Sequence, residues 1–362
     1  MRQAADLLPA NAVCCPQSSW LGLQMQFDRL KRREFIALVG GAAATWPLST
    51  HAQQAQKVPR IGFLIPGRSE PPDAALKTVS GFLQGLQDLG YREGQTIVIE
   101  RRFAEWNLGR LREFAAEMVR GNLEIIVAFS TPAARAAKQA TNAIPIVAIA
   151  MADPVADDLV ASLVRPGGNV TGTTFLGPEL VAKRLQLLKE VVPRLSRVAA
   201  LWHPHAYSER TMAGLVKETE RAARTLNVQL QLTAADSPDE IGDAMASVIR
   251  ERAEALIVLP SPMLFGEYTR IVSIAVNSRL PAIGAAREFA DVGGLMSYGV
   301  NLPDLARQTA TYVEKILKGA KPADLPVEQP TTFEIVLNLK TAKELGLTVS
   351  REFLLIIDDA IE

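Results

Sequence analysis

From residue 61 onward, short runs of β-branched and apolar residues alternate with longer stretches in which apolar positions recur at helical spacing. The first series predicts strands over 61–65, 96–101, 125–129 and 144–150, separated by helices over 73–89, 107–120 and 133–141. After a turn-rich segment at 165–172 the pattern restarts. Helices over 179–192, 209–226, 238–251 and 265–278 alternate with strands over 197–202, 228–233, 255–259 and 281–284. Such alternation points to parallel sheets, because a parallel crossover needs a helix-length connection to return the chain. The two series in tandem therefore predict an α/β protein of two doubly wound lobes.

The remaining elements are a strand at 294–300, a helix at 303–318, a Pro-rich link at 321–330, a strand at 333–337 and a short helix at 339–345. They are too few for a third core and are assigned to completing the two sheets. That requires the chain to cross between lobes near 172–176, 296–300 and 328–333. Lobe I is accordingly expected to comprise 58–173 plus 298–328, and lobe II 174–297 plus 329–350.

A length of 362 residues exceeds the usual single-core size, which agrees with two lobes. The 39 basic and 39 acidic residues balance, and no basic stripe appears that would release phosphate counterions, so nucleic acid is excluded as a partner. A basic segment containing Arg32-Arg33, a mild Gly/Ala-rich apolar run and a small-residue site ending at Ala52 follow one another in the order of an export signal of twin-arginine type. Residues 25–52 are read as that signal, cleaved near Ala52. Residues 1–24 before it are read as a start-site artefact or a disordered extension. Both cysteines, Cys14 and Cys15, fall there, so the exported chain would hold no thiol. It would carry 34 basic against 36 acidic residues, with no lipid-anchor cysteine, and is expected in the periplasm as a monomer.

Ligands of open α/β sheets bind beyond the carboxyl ends of strands, where helix N-termini converge. Thr131-Pro132, Asp153-Pro154 and Ser261-Pro262 each place a capping side chain before a proline suited to a first helical turn. Such helix starts either serve only the helix or present backbone N–H groups to a ligand carboxylate. Asp153 could instead meet an ammonium group. The loop Pro66-Gly67-Arg68 follows the first strand, and Arg68 is either solvated or a bidentate carboxylate clamp. His203 and Tyr207 follow a strand of the second series, and Glu288 and Tyr298 are placed near the last crossing; Tyr298 is the preferred aromatic contact. His203 and His205 lack further ligands at zinc spacing, so no metal or other cofactor is expected. There is no G-x-G-x-x-G, Walker A or G-x-S-x-G motif, which leaves an enzyme without its usual signatures.

The segments Phe129-Ser130-Thr131-Pro132-Ala133, Ala152-Asp153-Pro154-Val155 and Leu163-Val164-Arg165-Pro166-Gly167-Gly168-Asn169-Val170-Thr171-Gly172 resemble ABC transporter substrate-binding proteins of the tryptophan/tyrosine type. Gly293-Gly294-Leu295-Met296-Ser297-Tyr298-Gly299 and Lys340-Thr341-Ala342-Lys343-Glu344-Leu345-Gly346 extend the resemblance to the end of the chain. It implies a type I periplasmic-binding fold of two Rossmann-like lobes joined by three hinge crossings. It also implies a small-molecule ligand in the interlobe cleft, Ser130 among its contacts, and an ABC permease as partner. A ligand-presenting sensor protein and a Rossmann-type enzyme are the alternatives.

Overall fold

The computed structural model describes residues 58–70 and 75–362; the expected export signal and the segment before it lie outside the described residues. Two sheets organise the chain. The first holds β1 (Arg60–Ile65), β2 (Val98–Phe103), β3 (Ile125–Phe129), β4 (Ile146–Met151) and β5 (Val170–Thr174), in the order β2-β1-β3-β4-β5 and parallel throughout. Strands β3, β4 and β5 are buried along their whole length, as helix-covered parallel strands are. Helices α1 (Ala75–Asp88), α2 (Leu108–Arg120) and α3 (Ser130–Ala140) return the chain between them.

The second sheet begins after α4 (Val181–Val191), with β6 (Arg197–Trp202), α5 (Glu209–Thr225), β7 (Gln229–Ala234), α6 (Ile241–Arg250) and β8 (Ala255–Val258). It continues through α7 (Pro262–Gly266), α8 (Tyr268–Asn277), β9 (Ala282–Gly284), α9 (Glu288–Asp291) and β10 (Met296–Gly299). Helix α10 (Leu302–Leu317) then intervenes before β11 (Glu334–Asn338), α11 (Leu339–Glu344), α12 (Arg351–Leu354) and β12 (Asp359–Ile361). The order is β12-β11-β10-β9-β8-β6-β7, parallel except for the antiparallel β10–β11 pair. The single reversal follows from topology: β11 arrives after the chain has visited the first sheet rather than through a local crossover.

That visit is made by α10, which packs on α1. Gly81 and Gly85 lie one turn apart on α1, where a Cβ would come 2.3 Å from the carbonyl oxygens of Pro303 and Arg307 respectively. Two glycines thus let the helix backbones touch. The chain passes between the sheets at 175–180, again at 300–301, and a third time after Glu328, which bridges to Thr173 beside β5.

The structure departs from the sequence expectations where local pattern is silent. β5 occupies part of the segment read as turn-rich, where Gly172 fits because a Cβ there would come 1.9 Å from the Ala148 carbonyl oxygen of β4. The single helix expected at 265–278 is broken at Glu267 into α7 and α8. β10 stays in the second sheet through Gly299. Beyond residue 350, where no element was expected, the helix α12 leads to β12, which extends that sheet by pairing with β11.

Candidate ligand-binding site

Strand order reverses between β1 and β3 in the first sheet and between β6 and β8 in the second. The carboxyl ends of these four strands are the switch points at which an open α/β sheet leaves a crevice. The residues just past them are Pro66, Ser130, His203 and Leu259, with Ser261 two residues further on, and these ends face a common interior.

The main cavity there has an empty volume of about 460 Å³, open solvent at its mouth included. The first sheet contributes Phe129, Ser130 and Ala150; the second contributes Ser261, Phe265, Tyr268, Ala285 and Ala286. Phe175 of the first passage, Leu302 at the start of α10 and Tyr207 before α5 complete the wall. Most of the lining is therefore aromatic or aliphatic. No Asp, Glu, Lys, Arg or His lines it among the described residues, and its polar groups are the hydroxyls of Ser130, Ser261, Tyr207 and Tyr268. Burial pushes both tyrosine hydroxyls well above the usual range, so they act as neutral groups.

Ser130 is the most constrained of these residues. It opens α3 with φ 74°, outside the region that side chains favour, and its buried Oγ has no hydrogen-bond partner in the protein. Ala150, also on the cavity wall, has φ 58°. Strained backbone of this kind persists only where surrounding structure imposes it. α3 has no side-chain cap, so its first N–H groups start at the cavity edge.

Ser261 is the cap the sequence indicates: its Oγ accepts from Leu264 N at 3.4 Å, with Pro262 in the first turn. His203 Nδ1 lies 3.1 Å from the same Oγ, and burial depresses the His203 pKa below its ordinary value. The other two expected caps differ. α3 starts one residue before Thr131, whose Oγ1 instead accepts from Ala152 N at 3.0 Å and joins β4 to the helix start. Asp153 accepts from Val155 N and Ala156 N, but the backbone forms a turn, with Leu159 and Val160 donating to the Pro154 carbonyl, and no helix follows.

Of the expected residues, Ser130, Tyr207 and Ser261 meet in the main cavity. Pro66 and His203 line a smaller cavity beside it, with Trp106 and Pro132. Gly67 holds the loop by accepting from Glu105 N at 3.0 Å. Arg68 reaches across to Glu267 at 2.7 Å. Tyr298 is not among the lining residues; its ring packs against Phe333, with centroids 6.1 Å apart. Glu288 is buried close behind Ala285 and Ala286, and desolvation raises its pKa to about 7. Phe129, Phe175, Phe265 and Tyr268 were missed, although Phe129 ends a strand and Phe265 follows the Ser261-Pro262 pair, positions that the strand-end argument itself marks.

Further contacts tie the two sets of elements together around the cavity. Asp157, after β4, accepts at Oδ1 from Ser208 N and Thr211 Oγ1, both at 2.9 Å, at the start of α5. Lys77 of α1 meets Asp291 of α9 at 2.7 Å. Arg184 of α4 is fully buried: its Nη1 donates to Gly177 O and its Nε to Tyr298 O, both at 2.8 Å, and burial lowers its pKa to about 10. It thus joins the first passage to β10.

Two doubly wound lobes enclosing an uncharged, aromatic-walled cavity at their strand ends define a ligand-binding protein of the type I periplasmic-binding class. The chain belongs to the ABC transporter substrate binding protein family, which it matches over residues 71–360. A tyrosine-binding protein of Clostridioides difficile is 27% identical over 272 residues, covering 75% of this chain and 77% of that protein. The crystal structure of an ABC domain from Streptococcus pneumonia in complex with L-Trp superposes with a TM-score of 0.76 at 28% identity, covering 84% of this chain and 99% of that one. A conserved domain protein of Vibrio cholerae gives 0.77 at 27% identity, with 84% and 100% coverage. A ligand-free, open substrate-binding protein with adhesive properties from Clostridium difficile gives 0.60 at 26% identity, with 84% and 99% coverage. The family is one of substrate-binding proteins rather than enzymes. Among the described residues there is no cluster that could hold a metal ion and no helix long and apolar enough to cross a membrane.

Proposed function

We propose that this protein is the periplasmic solute-binding component of an ABC importer and that it captures an aromatic amino acid between its lobes. The observation that carries the reading is the main cavity: aromatic walls from both sheets, with Ser130 after the first sheet's β3 and Ser261 after the second sheet's β8 among its hydroxyls. An aromatic side chain fills the space between Phe129, Phe175, Phe265 and Tyr268, where edge and face contacts add to burial. The carboxylate lies toward Ser130 and the first N–H groups of α3, and the ammonium toward Ser261. Specificity for this class is supported by the relatives, one a tyrosine-binding protein and one solved with L-Trp.

The lobes, 58–174 plus 302–328 and 181–299 plus 329–361, close on the ligand through hinges at the three passages. Closure is supported by the bridges from Arg68 to Glu267 and from Asp157 to α5, and by the higher TM-score against the L-Trp complex than against the ligand-free open relative. Binding selects the closed form because only that form offers both walls. The closed monomer then docks on a permease, the twin-arginine-type segment at 25–52 having directed export.

Calorimetry with L-tryptophan and L-tyrosine tests the reading. Saturable binding, lost when the carboxylate is removed as in tryptamine, is expected. Equal binding of sugars, or none of either amino acid, overturns it.

A further inference from the structure

Ser261 belongs to two hydrogen-bonded systems at once. Its side chain lines the main cavity, while its Oγ stands 3.1 Å from His203 Nδ1. His203 lines only the smaller neighbouring cavity, with Pro66, Trp106 and Pro132, so it reaches the ligand space through Ser261 alone. A serine hydroxyl has one proton and two lone pairs. Leu264 N takes one lone pair, so the state of His203 decides what Ser261 offers the cavity.

We propose that His203 is a positioning residue that sets the hydrogen-bonding polarity of Ser261, making ligand capture favourable when the imidazole is neutral and weaker when it is protonated. With its proton on Nε2, neutral His203 accepts the Ser261 O–H and leaves a lone pair for the ligand ammonium. Protonated His203 donates from Nδ1, occupies that lone pair, turns the hydroxyl proton toward the ligand and adds a like charge nearby. Both changes act in the same direction.

The surroundings favour the neutral form at physiological pH. Desolvation is the leading influence; Asp236 and Glu240 oppose it, and His205 reinforces it. His205, which also lines the small cavity, faces Asp236 at 2.8 Å, and the remaining lining residues are apolar or aromatic. The inference rests on the amino-acid reading of the main cavity and adds a pH response to it.

The test is calorimetric titration of the intact protein with L-tryptophan between about pH 8 and about pH 5, for the parent, His203→Gln and Ser261→Ala. The parent is expected to lose about tenfold in affinity on acidification, and His203→Gln, which does not titrate there, to lose far less. Ser261→Ala is expected to bind more weakly at the upper pH with a flattened profile. Glu288 titrates in the same window but is present in all three proteins, so the difference between profiles decides. Parallel profiles for the parent and His203→Gln overturn the inference and leave the site intact. Failure of the parent to bind L-tryptophan or L-tyrosine at either pH overturns the amino-acid reading and the inference with it. Should a variant not fold, the His203 imidazole followed by NMR in the parent decides instead. Bound L-tryptophan is expected to lower its pKa, and an unchanged titration overturns the proposal.

Discussion

The indole of Trp106 occupies the space in which a side chain on Gly266 would sit: a Cβ there would come 2.1 Å from Cζ2 of Trp106. Trp106 leaves β2 in the first sheet and Gly266 ends α7 of the second, so the contact exists only while the two cleft walls are together. Gly266 does not occupy the left-handed region, and alanine there is conformationally tolerable. Gly266→Ala is therefore expected to spare the folded lobes and penalise closure. The apparent dissociation constant should rise by about tenfold or more, because affinity falls with the fraction of closure-competent molecules. Calorimetry together with small-angle scattering of the ligand-saturated variant checks this, and a compact, tightly binding variant would refute it.

Asp157 makes the second bridge. Its side chain is fully buried and accepts from Ser208 N and Thr211 Oγ1 across the cleft and from Arg135 on its own side. Asp157→Ala leaves those donors unsatisfied in the closed form alone. A loss of about 1–3 kcal/mol in ligand binding is expected. Ligand-free melting, where the cleft is free to open, should change by much less.

Glu288 makes stability depend on pH. Its carboxyl pKa is raised to about 7 in the fold, first by burial, so the native state holds its proton where the unfolded chain has released it. Stability contributed by this group is therefore complete below its unfolded value, 4.5, and declines as pH rises through about 7. Glu288→Gln is expected to match the parent near pH 4 and to exceed it by up to ~3 kcal/mol above pH 7, measured by chemical denaturation across that range.

Arg184→Met tests the buried cation that joins the first passage to β10. Removing it leaves the Gly177 and Tyr298 carbonyls without their donors, a cost of about 1–3 kcal/mol each, partly offset by not burying a charge. A net destabilisation of ~2 kcal/mol is expected in ligand-free denaturation. Unchanged stability would mean that the passages are held by other contacts.

Of the residues the sequence singled out, Ser130, Tyr207 and Ser261 line the cavity, and most of the rest of its wall was not legible in local pattern. Ser261-Pro262 behaves as a capped helix start because a cap involves only the four residues around it. Thr131-Pro132 carries the same local pattern, yet the helix begins at Ser130 with positive φ, and Thr131 is drawn off to Ala152. That difference arises at the β3–β4 junction, which local spacing does not encode. Asp153-Pro154 likewise caps a turn, because the chain must return to pair β5 with β4. Ser130, Ser261 and Tyr207 were thus recognisable, whereas Phe129, Phe265 and Tyr268, although the first two stand at or near strand ends, also suit ordinary core positions.

The sequence by itself determined the alternation of strands and helices, and with it the two doubly wound lobes, because periodicity and crossover length act over a few residues at a time. Tertiary structure alone decided which strand ends face one another, that Arg184 on a helix becomes the buried tie between Gly177 and Tyr298, and that Trp106 closes on Gly266. Apart from Arg184 and Gly177, which are seven positions apart, those contacts join residues more than a hundred positions apart. They form only when packing has brought both sheets around one cavity, so no local pattern carries them.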